Sequence, residues 1–555
     1  MLTRLLSKSA ASLLSVTLLM IGHPCHGQQQ YKVTPVLESG TVTILGSPDL
    51  FTFNFETGSA LDEQYSSFTQ RLNGDSNDGI WVLNVTTGNA SHLVKLGDPA
   101  GRGGAPFTSF GDYSVVKGSL GAGYWVIFYG QTSAGNGLYS VSTEGGTAHI
   151  IADQTTPLPG VGGFGTYNSA YTVNAVPEAD DQHVVFTPYN PAESLIRPID
   201  GSGSLGELAG SNTPLEVPNS NCTEANVDFQ QARVFGQNVV VFGGGNSFDW
   251  VDPGLYLTTI SGVPSTGQTC SPNNYLTFPP VLDYQTVLNT DYPTLRFGGN
   301  NGNSLLALDD KNIYFTDGTN TALFSVPLNN LSQINLLLGP ATQLPGMPPP
   351  PYIISALAAE YEVIAFEAYT LSGGGDTAGI FSYAKKGFTR ITGTGDTVFG
   401  GTIGYGVYLN ANAVSNGDIL FEATGFGSGI LQAAPATCAA NVTADFKITE
   451  GPIKLNPTTG LYNQTVEVTN TSASAIAGPV SLVISGLTAF NAVSLYKPSG
   501  STSCTALGPI GSPFVQLDKG LSIAAGQTLK FTLSFNNPDN LTFAYSAGLF
   551  SGTQR

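Results

Sequence analysis

The stretch "YWVIFYGQTSAGNGLYSVSTEGGTAHIIADQTTPLPG", Tyr124 to Gly160, decides the fold. It holds three short apolar runs, "YWVIFYG", "GLYSVST" and "HIIAD", separated by turns that carry glycine. β-branched and aromatic residues crowd the runs, which suits pleated sheet, and the glycines permit positive φ in tight turns. No catalytic set accompanies them. The segment reads as a structural unit, and its recurrence along the chain shows what it builds.

The run "GLYSVST" at Gly137 has counterparts in "GIWVLNV" at Gly79, "GLYLTTI" at Gly254, "ALFSVPL" at Ala322, "GIFSYAK" at Gly379 and "GILQAAP" at Gly429. The third residues are Trp81, Tyr139, Tyr256, Phe324, Phe381 and Leu431. Midway between Tyr139 and Tyr256, Ile196 of "SLIRPID" takes the same slot. From Trp81 to Leu431 the slots advance by about 58 residues on average, a period expected of propellers, solenoids or arrays.

Each unit has a strand before the slot, as in "HVVFTP", "VVVFGG", "NIYFTD", "VIAFEA" and "DILFEA". A strand follows it, as in "HLVKLGD" and "HIIADQ", and a fourth fits at "YSVVKG" and "YTVNAV". Four short strands joined by tight turns make the blade of a β-propeller. A lone blade cannot bury both faces, whereas a closed ring of blades can. The last unit lacks its final strand, and the N-terminal "YKVTPVLESG" can supply it. Without that closure two sheet edges stay unpaired. The expected fold is therefore all-β, with a seven-bladed β-propeller over residues 31–437. Six or eight blades are the alternatives, because the first unit, Phe51 to Gly88, is irregular.

After Cys438 the pattern changes to polar–apolar alternation with spaced turn signals, in "LYNQTVEVTN", "GPVSLVISGL" and "GQTLKFTLSFNNPD". Residues 441–555 are expected to form an immunoglobulin- or fibronectin-like sandwich, an Ig-like domain, reached through a linker from Gln432 to Asn441.

The repeats resemble a bacterial secreted tandem-repeat family with an Asn-x-x-Gly-x-x-Ala-Phe signature. "SNGDILFEA" keeps Gly417 and Phe421, with Val414 in place of the Asn and Leu420 in place of the Ala. "EVIAFEA" keeps Ala365 and Phe366 without the Gly. "FTSFGDYSV" after "LGDPAGRGG" resembles the segment between that family's repeats. The tail, from "KLNPTTGLYNQTVEVTN" to "GSPFVQL", is similar to a β-sandwich module at the C-termini of bacterial exported proteins. The resemblance implies extracellular architecture and transfers no catalytic residue.

The bulk composition agrees. The chain has 555 residues, 68 of them glycine, with 41 % hydrophobic and 11 % charged residues. That is rich in turns and has enough apolar surface for a large core. A net charge of −19 argues against nucleic acid or an anionic membrane as partner. It suits solubility or cation binding.

The N-terminus "MLTRLLSKSAASLLSVTLLMIGHPCHGQQQ" has a basic start at Arg4 and Lys8 and an apolar run from Ala10 to Ile21. Cys25 and Gly27 suit a signal-peptidase site, so residues 1–27 are expected to be a signal peptide, and the mature chain to be secreted or extracellular with no membrane span. A lipid anchor would need small residues before Cys25, where His23 and Pro24 stand. Cys222, Cys270, Cys438 and Cys504 remain. Order and domain division favour the disulfides Cys222–Cys270 and Cys438–Cys504 over the other pairings that four cysteines allow.

The chemistry-bearing residues are few. His92 and His149 take one slot in successive repeats, where later units carry Gln333 and Arg390; such variation suits an exposed strand start. His183 stands apart. No His-Glu-x-x-His, paired Cys/His spacing or Gly-x-Ser-x-Gly occurs, and "FGGGNSF" lacks the lysine and helix of a phosphate loop. "NGDSNDG" lacks the closing Glu of a calcium loop. The strongest set is acidic: Glu56, Glu367 and Glu422 each follow an aromatic residue in "NFETG", "AFEAY" and "LFEAT". In a closed ring they fall in neighbouring blades, where they could hold a cation such as calcium or act as acid and base on a glycoside. The bland reading is that each ends its strand and pairs locally. No cofactor is otherwise indicated. The function expected is non-enzymatic binding of an extracellular ligand, glycan or protein. A carbohydrate-active hydrolase or lyase and an architectural envelope component are the alternatives.

Overall fold

The computed structural model describes residues 29–38, 60–71, 77–119, 123–156, 177–180, 182–187, 194–209, 227–235, 238–245, 254–259, 280–283, 288–292, 294–295, 297, 305–370, 377–384, 387–404, 406–424, 428–487, 492–517 and 521–553. The expected signal peptide, Glu56, Cys222 and Cys270 lie outside them. No helix among the described residues is long and apolar enough to cross a membrane.

The protein is all-β, and its larger part is a succession of four-stranded antiparallel sheets. Sheet A holds Ala60–Asp62, Tyr65–Arg71, Asn77–Asn84 and Asn89–Lys95. Sheet B holds Phe107–Ser119, Gly123–Thr132, Gly135–Ser142 and His149–Asp153, and joins sheet A through the single pair Asn77–Phe110. Sheet C holds Glu178–Ala179, His183–Phe186, Ser194–Pro198 and Gly206–Ala209. Sheet D holds Val227–Phe235, Asn238–Gly245, Gly254–Thr259 and Pro280–Asp283. Sheet E runs Leu306–Leu308, Asn312–Thr316, Leu323–Pro327 and Asn335–Leu338, and sheet F runs Tyr352–Glu360, Val363–Thr370, Ala378–Ala384 and Gly387–Gly393. In sheet G, Gly406–Tyr408 and Val414–Ser415 together take the place of a first strand along one edge of Asp418–Thr424, and Ser428–Pro435 pairs with its other edge.

The outer strand of sheet G comes from the other end of the chain. Tyr31–Glu38 pairs antiparallel with Ser428–Pro435, from Tyr31 opposite Pro435 to Glu38 opposite Gly429. The expected linker is therefore shorter than the sequence suggests, because Gln432 to Pro435 belong to this ladder.

Every repeat slot falls on the third strand of its own sheet, Ile196 included. The phenylalanine of the second strand faces the slot or its neighbour. Phe128 stacks on Tyr139 at 5.9 Å, Phe315 on Phe324 at 5.5 Å and Phe366 on Phe381 at 5.6 Å. Such cross-strand pairs stabilise a sheet beyond the area they bury.

Shared apolar cores join the sheets to their neighbours, except that C meets D at the Glu178–Arg233 pair. Val82 and Phe128 join A to B, and Ile127 and Phe186 join B to C. Leu255 and Phe315 join D to E, and Tyr314 with Phe366 joins E to F. Ile380 and Phe421 join F to G. Leu420 and Ile430 of sheet G then pack on Phe68 and Trp81 of sheet A. The succession returns to its start, an arrangement consistent with a β-propeller.

Beyond Cys438 the chain forms two further antiparallel sheets. One orders Ala440–Asn441, Ser546–Ser551, Val480–Ser485, Pro513–Gln516 and Gly500–Ser501. The other orders Phe446–Glu450, Tyr462–Asn470, Thr528–Asn536 and Ser494–Leu495, with Lys454–Leu455 beside Tyr462–Asn470. Val466, Val468, Leu533 and Phe535 from one sheet meet Val480, Leu482 and Leu549 from the other in a single core. Strand alternation sends Gln464, Val466, Val468 and Asn470 inward, as the sequence pattern expects. Asn470 begins a sequon, yet it is fully buried and its amide donates to the Ser474 and Ile523 carbonyls, so it offers no acceptor for a glycan. Cys438 and Cys504 form the expected disulfide, with Cα atoms 5.8 Å apart.

Candidate functional site: the charged hub

The first strand of each sheet ends beside a common cavity of about 50 Å³. Sheet A contributes Leu61, B Lys117, C Glu178, D Arg233, E Leu308, F Glu360 and G Asn412. Lys117, Arg233 and Glu360 stand near the ends of the long first strands Phe107–Ser119, Val227–Phe235 and Tyr352–Glu360, and Glu178 opens the two-residue strand Glu178–Ala179.

These ends are tied from sheet to sheet. Lys117 Nζ lies 3.4 Å from Asp62 Oδ1, and the Gly118 N–H donates to the same carboxylate, joining B to A. Arg233 Nη1 stands 3.1 Å from Glu178 Oε1, joining D to C. The Arg233 Nε–H donates to the Leu306 carbonyl at 2.7 Å, joining D to E. Asp309 Oδ2 accepts the Glu362 N–H at 2.8 Å, joining E to F. Glu360 accepts the Asn416 N–H at 2.6 Å, joining F to G. Ser415 Oγ accepts the Glu63 N–H and the Asn412 carbonyl accepts the Leu61 N–H, both at 2.8 Å, which brings G back to A.

Burial sets the electrostatics. It pushes the Glu178 carboxyl up to about 7, against the pull of Arg233, the Asn412 amide and Lys117. Burial also raises Glu360, opposed by Lys117 and the Asn416 N–H. For Lys117 burial works to lower the ammonium, but Asp62, Glu360 and Glu178 together outweigh it and hold it above its ordinary value. A desolvated charge is tolerated only when its partners are close, and here each charge has one.

The acidic residues singled out in the sequence are placed elsewhere. Glu367 is on the second strand of sheet F and Glu422 on the second strand of sheet G, opposite Tyr408. Neither lines the axial cavity. Glu56 lies outside the described residues. Burial pushes Glu367 up to about 7; the Ser355 hydroxyl and the Leu409 N–H, from the neighbouring sheet's loop, oppose that. Among the described residues no group of three His, Cys, Asp or Glu side chains is placed to hold a metal.

His92 and His149 lie on the fourth strands of sheets A and B, and His183 on the second strand of sheet C. His92 is half-buried rather than exposed: its ring stacks on Trp81 at 4.0 Å, and burial, with Lys95 nearby, lowers it to about 4. His149 Nδ1 lies 2.8 Å from the Asp200 carbonyl of sheet C. His183 Nδ1 lies 3.5 Å from Asp180. Sequence reasoning missed Lys117, Glu178, Arg233 and Glu360. The available signal was a charged residue closing an apolar first strand, as in "YSVVKGS" and "QQARVFG".

No family model and no curated protein sequence matches the chain. Among solved structures, a chain of a nidogen/laminin complex is 9 % identical with a TM-score of 0.31, covering 60 % of this chain and 91 % of that one. Prolyl oligopeptidase B from Galerina marginata is 13 % identical with a TM-score of 0.37, covering 76 % and 57 %. A post-proline cleaving enzyme from Rickettsia typhi is 7 % identical with a TM-score of 0.38, covering 76 % and 58 %. The chain thus spans little more than half the length of the two peptidases. These are distant matches to β-propeller domains and identify no family or repeat type.

Proposed function

We propose that the protein is an exported, non-enzymatic binding or surface-interaction protein. It would be a seven-bladed β-propeller over residues 31–437, closed by its N-terminal strand, with an immunoglobulin- or fibronectin-like sandwich over 441–555. The hub carries this reading. The charged groups at the axis are engaged from sheet to sheet, Lys117 with Asp62 and Arg233 with Glu178 as ion pairs, and Arg233 and Glu360 also with backbone groups of the next sheet. The space between them is about 50 Å³, against roughly 300–1,000 Å³ for an ordinary small-molecule pocket. An axis filled in this way serves closure, and recognition of an extracellular ligand, glycan or protein falls to the outer loops and faces. The count of seven rests on the repeat slots, each on the third strand of its own sheet. The resemblance to the Asn-x-x-Gly-x-x-Ala-Phe family and the expected signal peptide support export, with a bacterial source.

Glu367 keeps a second reading in play, a carbohydrate-active hydrolase or lyase. A carboxyl pushed up to about 7 is in the state a general acid needs. A glycan and polysaccharide screen of the mature protein, with and without calcium, separates the two when the same polymers are assayed for cleavage. Saturable binding without product is the expected outcome. Cleavage that disappears in Glu367→Gln or Glu422→Gln would establish the enzyme instead. Neither binding nor cleavage would leave the architectural role.

A further inference from the structure

The closing strand Tyr31–Glu38 is gripped along both edges. Its inner edge pairs with Ser428–Pro435. Its outer edge meets a loop of the C-terminal module: the Val33 N–H donates to the Ser503 carbonyl at 2.7 Å, and Lys32 faces Cys504 in an antiparallel bridge. The Tyr31 N–H donates to Thr505 Oγ1 at 3.1 Å. A bare edge strand would present these same groups to water or to another chain.

The loop continues into the core of the propeller-like part. The Thr397 N–H donates to the Ile510 carbonyl at 2.9 Å, and Ile510 is buried with Tyr31, Val33 and Val398. Gly511 follows at a φ of 82°, where the Thr397 carbonyl leaves no room for a Cβ. Cys504 and Leu507 of the same loop are buried with Cys438, Phe514 and Phe550, in the module's own second core. One loop therefore joins two cores across the end of the closing strand.

The Cys438–Cys504 disulfide ties the two grips together. Cys504 belongs to the outer grip, and Cys438 lies just beyond Pro435, the end of the inner one. The Cys438 N–H also donates to Gln30 Oε1 at 3.0 Å, so the approach to the strand is held as well.

We propose that the C-terminal module is a redox-sensitive clasp on the closure of the larger part, locked by Cys438–Cys504. A dithiol reductant supplies two electrons and two protons; the S–S bond breaks into two thiols, and the dithiol becomes a disulfide. The two grips then move independently, and the strand's outer edge opens. Such a chain stays closed in an oxidising space and loosens on entering a thiol-rich one. The proposal rests on the strand pairings and not on the ligand-binding reading above.

Amide hydrogen exchange on the full chain, read by mass spectrometry, tests it. Reduction should speed exchange over residues 31–38 by about tenfold or more while the sheet E strand Leu323–Pro327 stays protected. The double variant Cys438→Ser/Cys504→Ser should show the same pattern without reductant, which separates this disulfide from Cys222 and Cys270. Should that variant fail to fold, Ile510→Ser, which weakens the outer grip, should show a larger acceleration over residues 31–38 on reduction than the parent chain and little before it. Unchanged protection of residues 31–38 after complete reduction overturns the proposal. So does an increase spread evenly over all sheets, which would mark general unfolding.

Discussion

Between its sheets the larger part of the molecule is held by rings and aliphatic side chains, and around its axis by charges. Phe366 and Phe381 are fully buried in the layer between sheets E and F. Arg233 and Glu178 are almost as deeply buried, and each is the other's charge partner there. Apolar packing is non-directional and tolerates replacement by another residue of similar size. A buried ion pair has one geometry, and losing a partner strands the other charge. The layers therefore stack the sheets, and the hub specifies which neighbours meet and in what register.

Damage to each region in turn separates them. Phe381→Ala should cost about 3–5 kcal/mol through lost burial and a cavity, equally at pH 5 and pH 8, read from denaturation midpoints. Arg233→Ala should cost about as much at pH 8, roughly 3–5 kcal/mol, because Glu178 loses its partner and must either stay charged in the interior or take up a proton from a solution that holds few. Here the pH matters. The folded Glu178 carboxyl sits at about 7 against an ordinary 4.5, so the folded state holds its proton longer than the unfolded one. Stability from this group is greatest below about 4.5 and falls as the pH rises to about 7. Without Arg233 the carboxyl rises further, so the variant's deficit should shrink at pH 5. An Arg233→Ala deficit as indifferent to pH as that of Phe381→Ala would refute the charged-hub account.

The same contrast explains what could be read beforehand. The slots were legible because one physical requirement recurs in each unit: a large apolar residue on a strand buried on both faces. Ile196 could be placed from spacing alone, though its sequence neighbours share little with "GLYSVST". The N-terminal closing strand was legible because the last unit lacked a partner for its edge. The hub was not. Sheets B, C, D and F supply different charged residues, Lys117, Glu178, Arg233 and Glu360, and no period links them. Glu367 and Glu422 stood out because they share a motif, but a shared motif puts residues at the same place in successive sheets, here the second strand. The grip of Ser503–Thr505 on Tyr31–Glu38 left no local signal, since it joins segments from opposite ends of the chain.

Glu367 offers a smaller effect of opposite sign. Its carboxyl is raised to about 7 by burial and faces hydrogen-bond donors, the Ser355 hydroxyl and the Leu409 N–H, with no cation among the causes. Glu367→Gln keeps an acceptor oxygen for those donors and removes the desolvated charge. The variant should gain on the order of 1–3 kcal/mol at pH 8 and little at pH 5. A loss of stability at pH 8 would mean that the carboxylate has a favourable partner there, and would revive its candidacy as a cation ligand.

The smallest effect is expected where the same chemistry meets water. Lys530 Nζ and Glu467 Oε1 are 2.7 Å apart on adjacent strands of the C-terminal module, closer than Arg233 and Glu178 at 3.1 Å. Their side chains are 67 % and 41 % exposed, against 11 % and 7 % for the hub pair. Distance alone would rank the exposed pair first. Screening and the entropy of two long side chains reverse that order: an exposed pair contributes less than about 1 kcal/mol, and its attraction fades further at high salt. Lys530→Ala should therefore move the denaturation midpoint barely above error. A double-mutant cycle with Glu467→Ala should give a coupling that vanishes in about 1 M salt, where the Debye length is only about 3 Å. The equivalent cycle on Arg233 and Glu178 should keep most of its coupling under the same conditions. Equal salt sensitivity in the two cycles would mean that water reaches the hub, and that burial is not what makes its charges specific.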